Sequence, residues 1–364
     1  MSLPLFNEIR RLVVTLASER FPEPNCCRDW TDFQGEIVRA HGLAPWLYKS
    51  LGGVPETGMP LKISGALQKD YMLSVKASMT REWSLKQILA VMNAHGVTPV
   101  LLKGAYLGPM IYGDPALRTM CDIDLLARKE DLNAARNALT SLGYRIQFAP
   151  GSPEDRILPL AETHIHDDDR FTTVDLHRSL GSMDFYRFPS ADVWSQVTEG
   201  NLYGHKVLFL SPELNFICVA VHAFNHGAIL RDWLDMVLIL KRTAFDWDKF
   251  ADLSRSLGVI RPMWWTFREL GAHWESNPPA EIGNILDGYH PHWLEDRIIG
   301  SRWTYAWRLL ARMRLLESRE SKMRFWRSRL LPSKSFREAV VGTDNWMPYF
   351  ASKLGYFLRL RKRS

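Results

Sequence analysis

The chain has 364 residues, 46% of them hydrophobic, with 46 Lys/Arg against 40 Asp/Glu for a formal net charge of +6. That length predicts about two domains, and the apolar content is enough to build sizeable cores. No apolar run approaches the ~20 residues a bilayer span needs and MSLPLFNEIRRL has no signal-peptide pattern, so no transmembrane segment is expected and the expectation is a soluble, cytoplasmic protein.

The N-terminal region, residues 1–95, reads as helical. Leu3 to Leu16 and Trp30 to Leu51 carry apolar residues at mostly helical intervals, and Gly52-Gly53-Val54-Pro55 and Gly58-Met59-Pro60 then punctuate the chain. A long helix is predicted over 63–94, with a core stripe of Leu67, Tyr71, Val75, Met79, Trp83, Ile88 and Met92, closed by Gly96. Residues 97–102 read as a strand, Lys103-Gly104 as a turn and 105–112 as a helix broken by Gly113-Asp114-Pro115. An amphipathic helix over 131–142 and a strand over 144–148 follow. LAETHIH, Asp167-Asp168-Asp169-Arg170 and FTTVDLH read as a hairpin; a turn centred on Asp168-Asp169 sets Glu162 opposite Asp175 and gathers Glu162, His164, His166, Asp175 and His177 on one face. From Ser211 the pattern is again helical. The division expected is a core over 96–205, a helical domain over 206–300 and a basic helical tail over 301–364.

The chemistry is declared in MCDIDLL. Asp122 and Asp124 interrupt an apolar run that reads as a buried strand, and side chains two apart on a strand point to one face. Two carboxylates held that close repel and raise each other's pKa unless a cation lies between them. Hard divalent ions such as Mg²⁺ take oxygen ligands and bridge carboxylates to phosphates. Two ordinary aspartates at a solvent-facing strand end would produce the same motif.

Taken together, the strand followed by Lys103-Gly104, the Arg118-x₃-Asp122-x-Asp124 stretch and Val174-Asp175-Leu176-His177 resemble the uncharacterised nucleotidyltransferase family of the DNA polymerase β-like superfamily. AHGLAPWLYKSL and SPELNFICVAVHAFNHG add to the resemblance, which covers roughly residues 30–240. It implies an α+β fold with a small mixed sheet flanked by helices, a helical N-terminal segment and a helical C-terminal domain. It also implies Mg²⁺ (or Mn²⁺) held by Asp122, Asp124 and Asp175, which would be the catalytic carboxylates, and an NTP such as ATP as substrate. Lys103 could offer a point charge to the triphosphate, Arg118 a planar fork, Gly104 backbone N–H groups and His177 a phosphate contact or support for Asp175. The chain departs from the superfamily pattern in having Lys103-Gly104-Ala105, without a hydroxyl, where Gly-Ser or Gly-Gly is usual, and in a longer gap before Asp122.

Each residue also has a structural reading. Lys103 could be an exposed strand-end lysine, and Arg118 a salt bridge to Asp114 or Asp122. His222 and His226 stand at zinc-ligand spacing but lack a third ligand, so packing is the expectation. Cys26, Cys27, Cys121 and Cys218 show no metal spacing and no disulfide framework. The function expected is metal-dependent transfer of an NMP to an unidentified acceptor (a peptide, small molecule or RNA) with release of pyrophosphate. The alternatives are phosphoryl or glycosyl transfer by the same fold, and a non-catalytic nucleotide-binding module that neutralises a partner. Charge is uneven as well: residues 301–364 hold 16 Lys/Arg and 4 Asp/Glu, so +12 sits there and −6 on residues 1–300. A tail so charged suits an anionic partner such as RNA or a membrane surface, or the acidic body itself.

Overall fold

Pro60 and Gly96 bracket the longest element. Pro60 supplies a fixed φ of −56° just before the first helical residue, and Gly96 takes the left-handed φ of +76° that ends the run. Between them helix α4 (Leu61–Ala94) extends 34 residues, about 50 Å at the usual rise. The computed structural model describes residues 3–52, 57–148, 161–180, 186, 193–226, 228–286, 289–291, 293, 313–330 and 347. Ahead of α4 come α1 (Leu3–Ala17), α2 (Asp32–Ala40) and α3 (Ala44–Leu51). The last two replace one long amphipathic stretch, because Gly42 adopts φ +65° between them.

The rest is a seven-stranded mixed sheet in the order β3-β4-β5-β2-β1-β7-β6, packed with helices. Its strands are β1 (Val100–Leu101), β2 (Ile123–Leu126), β3 (Arg145–Phe148), β4 (Ala161–Ile165), β5 (Val174–His177), β6 (Val197–Leu202) and β7 (His205–Leu210). Short α5 (Lys103–Tyr106) and a π-helical turn over Leu107–Tyr112 follow β1, and α6 (Leu132–Ser141) follows β2. Helices α7 (Pro212–His226), α8 (Leu230–Arg242), α9 (Trp247–Ser256), α10 (Ile260–Trp274), α11 (Ala280–Leu286) and α12 (Arg319–Leu330) complete the described chain. The expected mixed α+β class holds. No described helix is long and apolar enough to cross a membrane.

Four expectations change. The strand over 97–102 shortens to Val100–Leu101, and Lys103-Gly104 is the first turn of α5 rather than a connecting turn. The core runs past residue 205, because β7 pairs in parallel with β1 inside the sheet and extends to Leu210. The stripe of α4 also shifts. Met79 is 67% exposed, and the buried line is instead Leu67, Ser74, Ser78, Ser84, Leu85, Ile88 and Met92. Serines suit it because close approach matters more there than apolar area: Ser74 Oγ donates to Ala116 O at 2.6 Å, and Ser84 Oγ lies 3.2 Å from the Tyr144 hydroxyl. Of the basic tail, residues 301–312, 331–346 and 348–364 lie outside the described residues, with Trp303, Trp307 and Leu310 among them. The described part packs on the helical region, with Phe325 buried and Arg261 donating to Arg314 O at 2.8 Å.

The fourth change is the register of the hairpin. Thr163, not Glu162, stands opposite Asp175, and His164 stands opposite Val174. That one-residue slip sends Glu162 and His164 through the sheet. They lie buried on the face of Leu125, Val174 and Leu176, where Arg136 of α6 donates to Glu162 at 2.8 Å. Burial alone would push the Glu162 carboxyl up, but the bonds from Arg136 and the nearby His164 ring, 3.4 Å away, hold it at about 2. The five-residue cluster expected from a tight turn is therefore dissolved. His166 stacks on Phe171 at 4.1 Å and lies 2.9 Å from Leu142 O, as a structural ring.

Candidate active site

Strand β2 is buried at every residue, and its parallel neighbour β5 aligns Asp124 with Asp175 and Leu126 with His177. Alternation does the rest: Asp124, Asp175, His177 and Thr163 share one face of the sheet, opposite Glu162. Ligand atoms of Asp124, Asp175 and His177 lie within 4.8 Å of one another. His177 Nε2 donates to Asp124 Oδ1 at 2.8 Å, and Lys103 Nζ reaches the same oxygen at 2.6 Å. Thr163 Oγ1 donates to Asp175 Oδ1 at 2.8 Å.

The two carboxylates of the D-x-D stretch live in opposite electrostatic states. Asp124 is nearly fully buried, which alone would raise its pKa, but His177 and Lys103 overcome that and hold it at about 2. Asp122 stands one residue before β2. Its pKa is raised, first by burial and then by the charges of Asp124 and Asp175, with Lys103 opposing. The structure thus brings Asp122, Asp124, Asp175, Lys103 and His177 into one electrostatic neighbourhood. It also leaves buried His177 Nδ1 without a hydrogen-bond partner among the described residues.

These residues fit a divalent cation. The convergent oxygen and nitrogen atoms of Asp124, Asp175 and His177 form a donor set of the kind that holds such an ion, with Asp122 close enough for its charge to be felt by them. Carboxylate oxygens suit Mg²⁺ or Mn²⁺, and a direct His177 ligand would favour Mn²⁺ or a softer ion. Asp122, Asp124 and Asp175 would hold the cation, with His177 orienting Asp124.

Arg118 is placed differently from both readings of the sequence. Neither Asp114 nor Asp122 is its partner. It is 8% exposed and forms a two-pronged bond to Asp235 of α8, Nη2 to Oδ2 at 2.8 Å and Nε to both oxygens at 3.2 Å. Tyr112 donates to Asp235 Oδ1 at 2.7 Å. Burial works against the Arg118 charge, but Asp235 more than offsets it and raises the pKa. Asp114 instead caps the next turn, accepting from Ala116 N at 2.8 Å. Gly104 is a close-packing position: a Cβ there would meet Met120 Sδ at 2.5 Å, and Arg118 Nη1 and Met120 Cβ at 2.9 Å. Gly104→Ala is accordingly expected to cost about 1–3 kcal/mol of stability, measured by chemical denaturation, because the clash reaches a Cβ that cannot rotate away.

Two contributors escaped the sequence reading. Asp235, fully buried, interrupts the apolar run Leu234-Asp235-Met236-Val237, the same kind of signal that marked Asp122 and Asp124. Thr163 was hidden by the register. Cys218 of α7 also lies near Lys103: burial raises its thiol to about 12, and the Lys103 ammonium opposes the rise.

The sequence matches the family of uncharacterised nucleotidyltransferases over residues 27–272. The chain belongs to that family. A comparison of this nucleotidyltransferase with curated proteins finds no match. Among solved structures it is similar to the antibiotic-resistance factor ANT(2'')-Ia, at 15% identity and a TM-score of 0.36 over 54% of this chain and 99% of that one. It is also similar to an antigenic nucleotidyltransferase-like protein from Paracoccidioides brasiliensis, at 15% identity and 0.32 over 53% and 94%. The Megavirus polyadenylate synthase matches at 12% identity and 0.32, over 66% of this chain and 45% of that one, so the chain spans under half of that protein's length.

Proposed function

We propose that this protein moves an NMP from an NTP to a hydroxyl-bearing acceptor in the cytoplasm, with Mg²⁺ or Mn²⁺ as cofactor and pyrophosphate as the second product. The observation that carries the reading is the convergence of Asp124, Asp175 and His177 within ligand reach beside a raised Asp122, in a chain of this family. When bound, the divalent cation supplies charge stabilisation to the attacking and leaving oxygens of an in-line displacement. The chain's own residues do the rest. Asp175, steadied by Thr163, accepts the acceptor's hydroxyl proton. The acceptor oxygen then bonds to the α-phosphorus as its bond to the bridging oxygen breaks, and pyrophosphate leaves. Lys103 offers the triphosphate a mobile point charge. Arg118, committed to Asp235, anchors the segment that carries Asp122 and does not contact phosphate.

Incubation with α- or γ-labelled NTPs, a divalent cation and peptide, small-molecule or RNA acceptors tests this. An Asp122→Ala, Asp124→Ala double variant should lose cation-dependent labelling from the α position; retained turnover refutes the assignment. Label arriving from the γ position would favour phosphoryl transfer, which the missing hydroxyl after Lys103-Gly104 leaves open. Thr163→Val is expected to lower kcat about ten- to hundredfold in a variant that stays folded at somewhat lower stability, as turnover set beside a thermal melt would show. It removes one hydrogen bond to an ionised group, worth about 1.5–3 kcal/mol, from Asp175 alone.

A further inference from the structure

Lys103 is an unusual residue for its place. It adopts φ +43°, the left-handed region where a side chain is strained and glycine is free, at the first residue of α5. Strain of this kind persists where the surroundings need the residue that bears it. The Lys103 side chain is 39% exposed, yet its ammonium ends 2.6 Å from a carboxylate that is 4% exposed. Asp124 Oδ1 takes a second bond from His177 at 2.8 Å, so both of its lone pairs are occupied. His177 is fixed by strand β5, whereas Lys103 reaches in on a flexible four-carbon stem from the solvent side. A cation seeking Oδ1 must therefore displace Lys103, and a cation bound elsewhere in the cluster still meets its positive charge.

We propose that Lys103 is a displaceable stand-in for the divalent cation: it neutralises the carboxylate cluster in the metal-free protein and passes to the triphosphate when the cation binds. This rests on the nucleotidyltransferase reading. Its consequence is a trade. The same ammonium opposes the cation and favours the nucleotide, so free metal binds weakly until an NTP draws Lys103 away. Metal and nucleotide then promote each other's binding equally, as linkage requires.

The test is Mn²⁺ binding by the full-length protein, read from the electron paramagnetic resonance of free Mn²⁺. Binding of α,β-methylene ATP, which cannot transfer its nucleotidyl group, is measured separately by calorimetry. Lys103→Met keeps the stem and removes the charge; Lys103→Gly removes both and relieves the φ strain, so at least one variant should fold as the parent does. Expected is Mn²⁺ binding about tenfold tighter in both variants without nucleotide, and analogue binding about tenfold weaker. A purely structural lysine would weaken both, and a purely phosphate-binding one would weaken only the analogue. Mn²⁺ affinity that is unchanged or lower in the variants overturns the inference and leaves the metal-site reading standing. Absence of Mn²⁺ binding from parent and variants alike, with or without analogue, overturns both.

Discussion

Asp122→Asn and Asp124→Asn are each expected to lower nucleotide transfer at least about 10³-fold, while moving the stability of the metal-free protein in opposite directions. The rate loss follows from removing a carboxylate from the cation cluster, where a single preorganised electrostatic contact is typically worth about 10²–10³ and the cation multiplies the effect. The stabilities diverge because the two side chains sit on opposite sides of their ordinary pKa. Asp124 is held at about 2 in the folded chain, below the roughly 3.9 of an unfolded aspartate. Its ionised form therefore stabilises the fold above about pH 4, and that contribution is lost as the pH falls through 2. Replacing it with Asn at neutral pH should cost on the order of 2 kcal/mol, because His177 and Lys103 then face a neutral amide.

Asp122 has a raised pKa, so its folded form holds the proton more tightly than its unfolded form. Its ionisation at neutral pH works against folding, and Asp122→Asn should raise the melting temperature without metal. Cation bound together with α,β-methylene ATP should stabilise the parent by mass action and leave Asp122→Asn largely unmoved. Thermal melts at pH 7 with and without Mg²⁺ and the analogue, set beside turnover, check the pair. Equal and opposite readings, with Asp122→Asn destabilised and Asp124→Asn stabilised, would reverse the charge assignment of the site.

What the sequence disclosed is tied to how each signal works. Asp122 and Asp124 were legible because charge inside an apolar strand needs compensation; β2 begins only at Ile123, so strand alternation places Asp124, while Asp122 is tied to the cluster through the charges of Asp124 and Asp175. Asp175 and His177 were legible as V-D-L-H on a strand, and β5 pairs beside β2 as a third-carboxylate arrangement requires. The partner strand was not legible in register. A two-residue turn puts Glu162 opposite Asp175, but residues 166–173 form a longer connection, with His166 Nδ1 accepting from Asp168 N at 2.8 Å and Asp168 accepting from Arg170 N at 2.9 Å. Side-chain bonds within that loop settle the register, and no periodicity reports them. The hairpin of β6 and β7 was missed for a related reason. Tyr203 and Gly204 both take positive φ, the geometry of a primed two-residue turn, yet tyrosine is a rare occupant of the first position and the usual signal is absent. The displaced stripe of α4 shows the same limit, since serine chosen for close approach looks polar and exposed in a sequence.

Asp235→Ala is expected to destabilise the fold by about 3–5 kcal/mol. It leaves Arg118, 8% exposed and held by three bonds to this one carboxylate, as an uncompensated buried charge, and takes the acceptor from the Tyr112 hydroxyl as well. At about 2–4 °C per kcal/mol for a domain of this size, the melting temperature should fall by roughly 10 °C. The pair itself is another matter, because replacing both partners by apolar residues of similar volume is often neutral. In a Tyr112→Phe background, which leaves no orphaned hydroxyl, Arg118→Met with Asp235→Leu should therefore recover most of the lost stability, and the double-mutant cycle should show a large coupling term. Turnover should not recover with it. Arg118 lies against the open side of Gly104, and Arg231 of the same helix donates to Thr119 O at 2.9 Å, so α8 grips the segment 118–120 that leads into Asp122 from two directions. A flexible methionine fills the volume of Arg118 without its fork, and the aim of Asp122 toward Asp124 and Asp175 is then no longer fixed. Stability restored with turnover still low would mark Arg118–Asp235 as the clamp that aims the first carboxylate. Recovery of both would reduce the pair to packing.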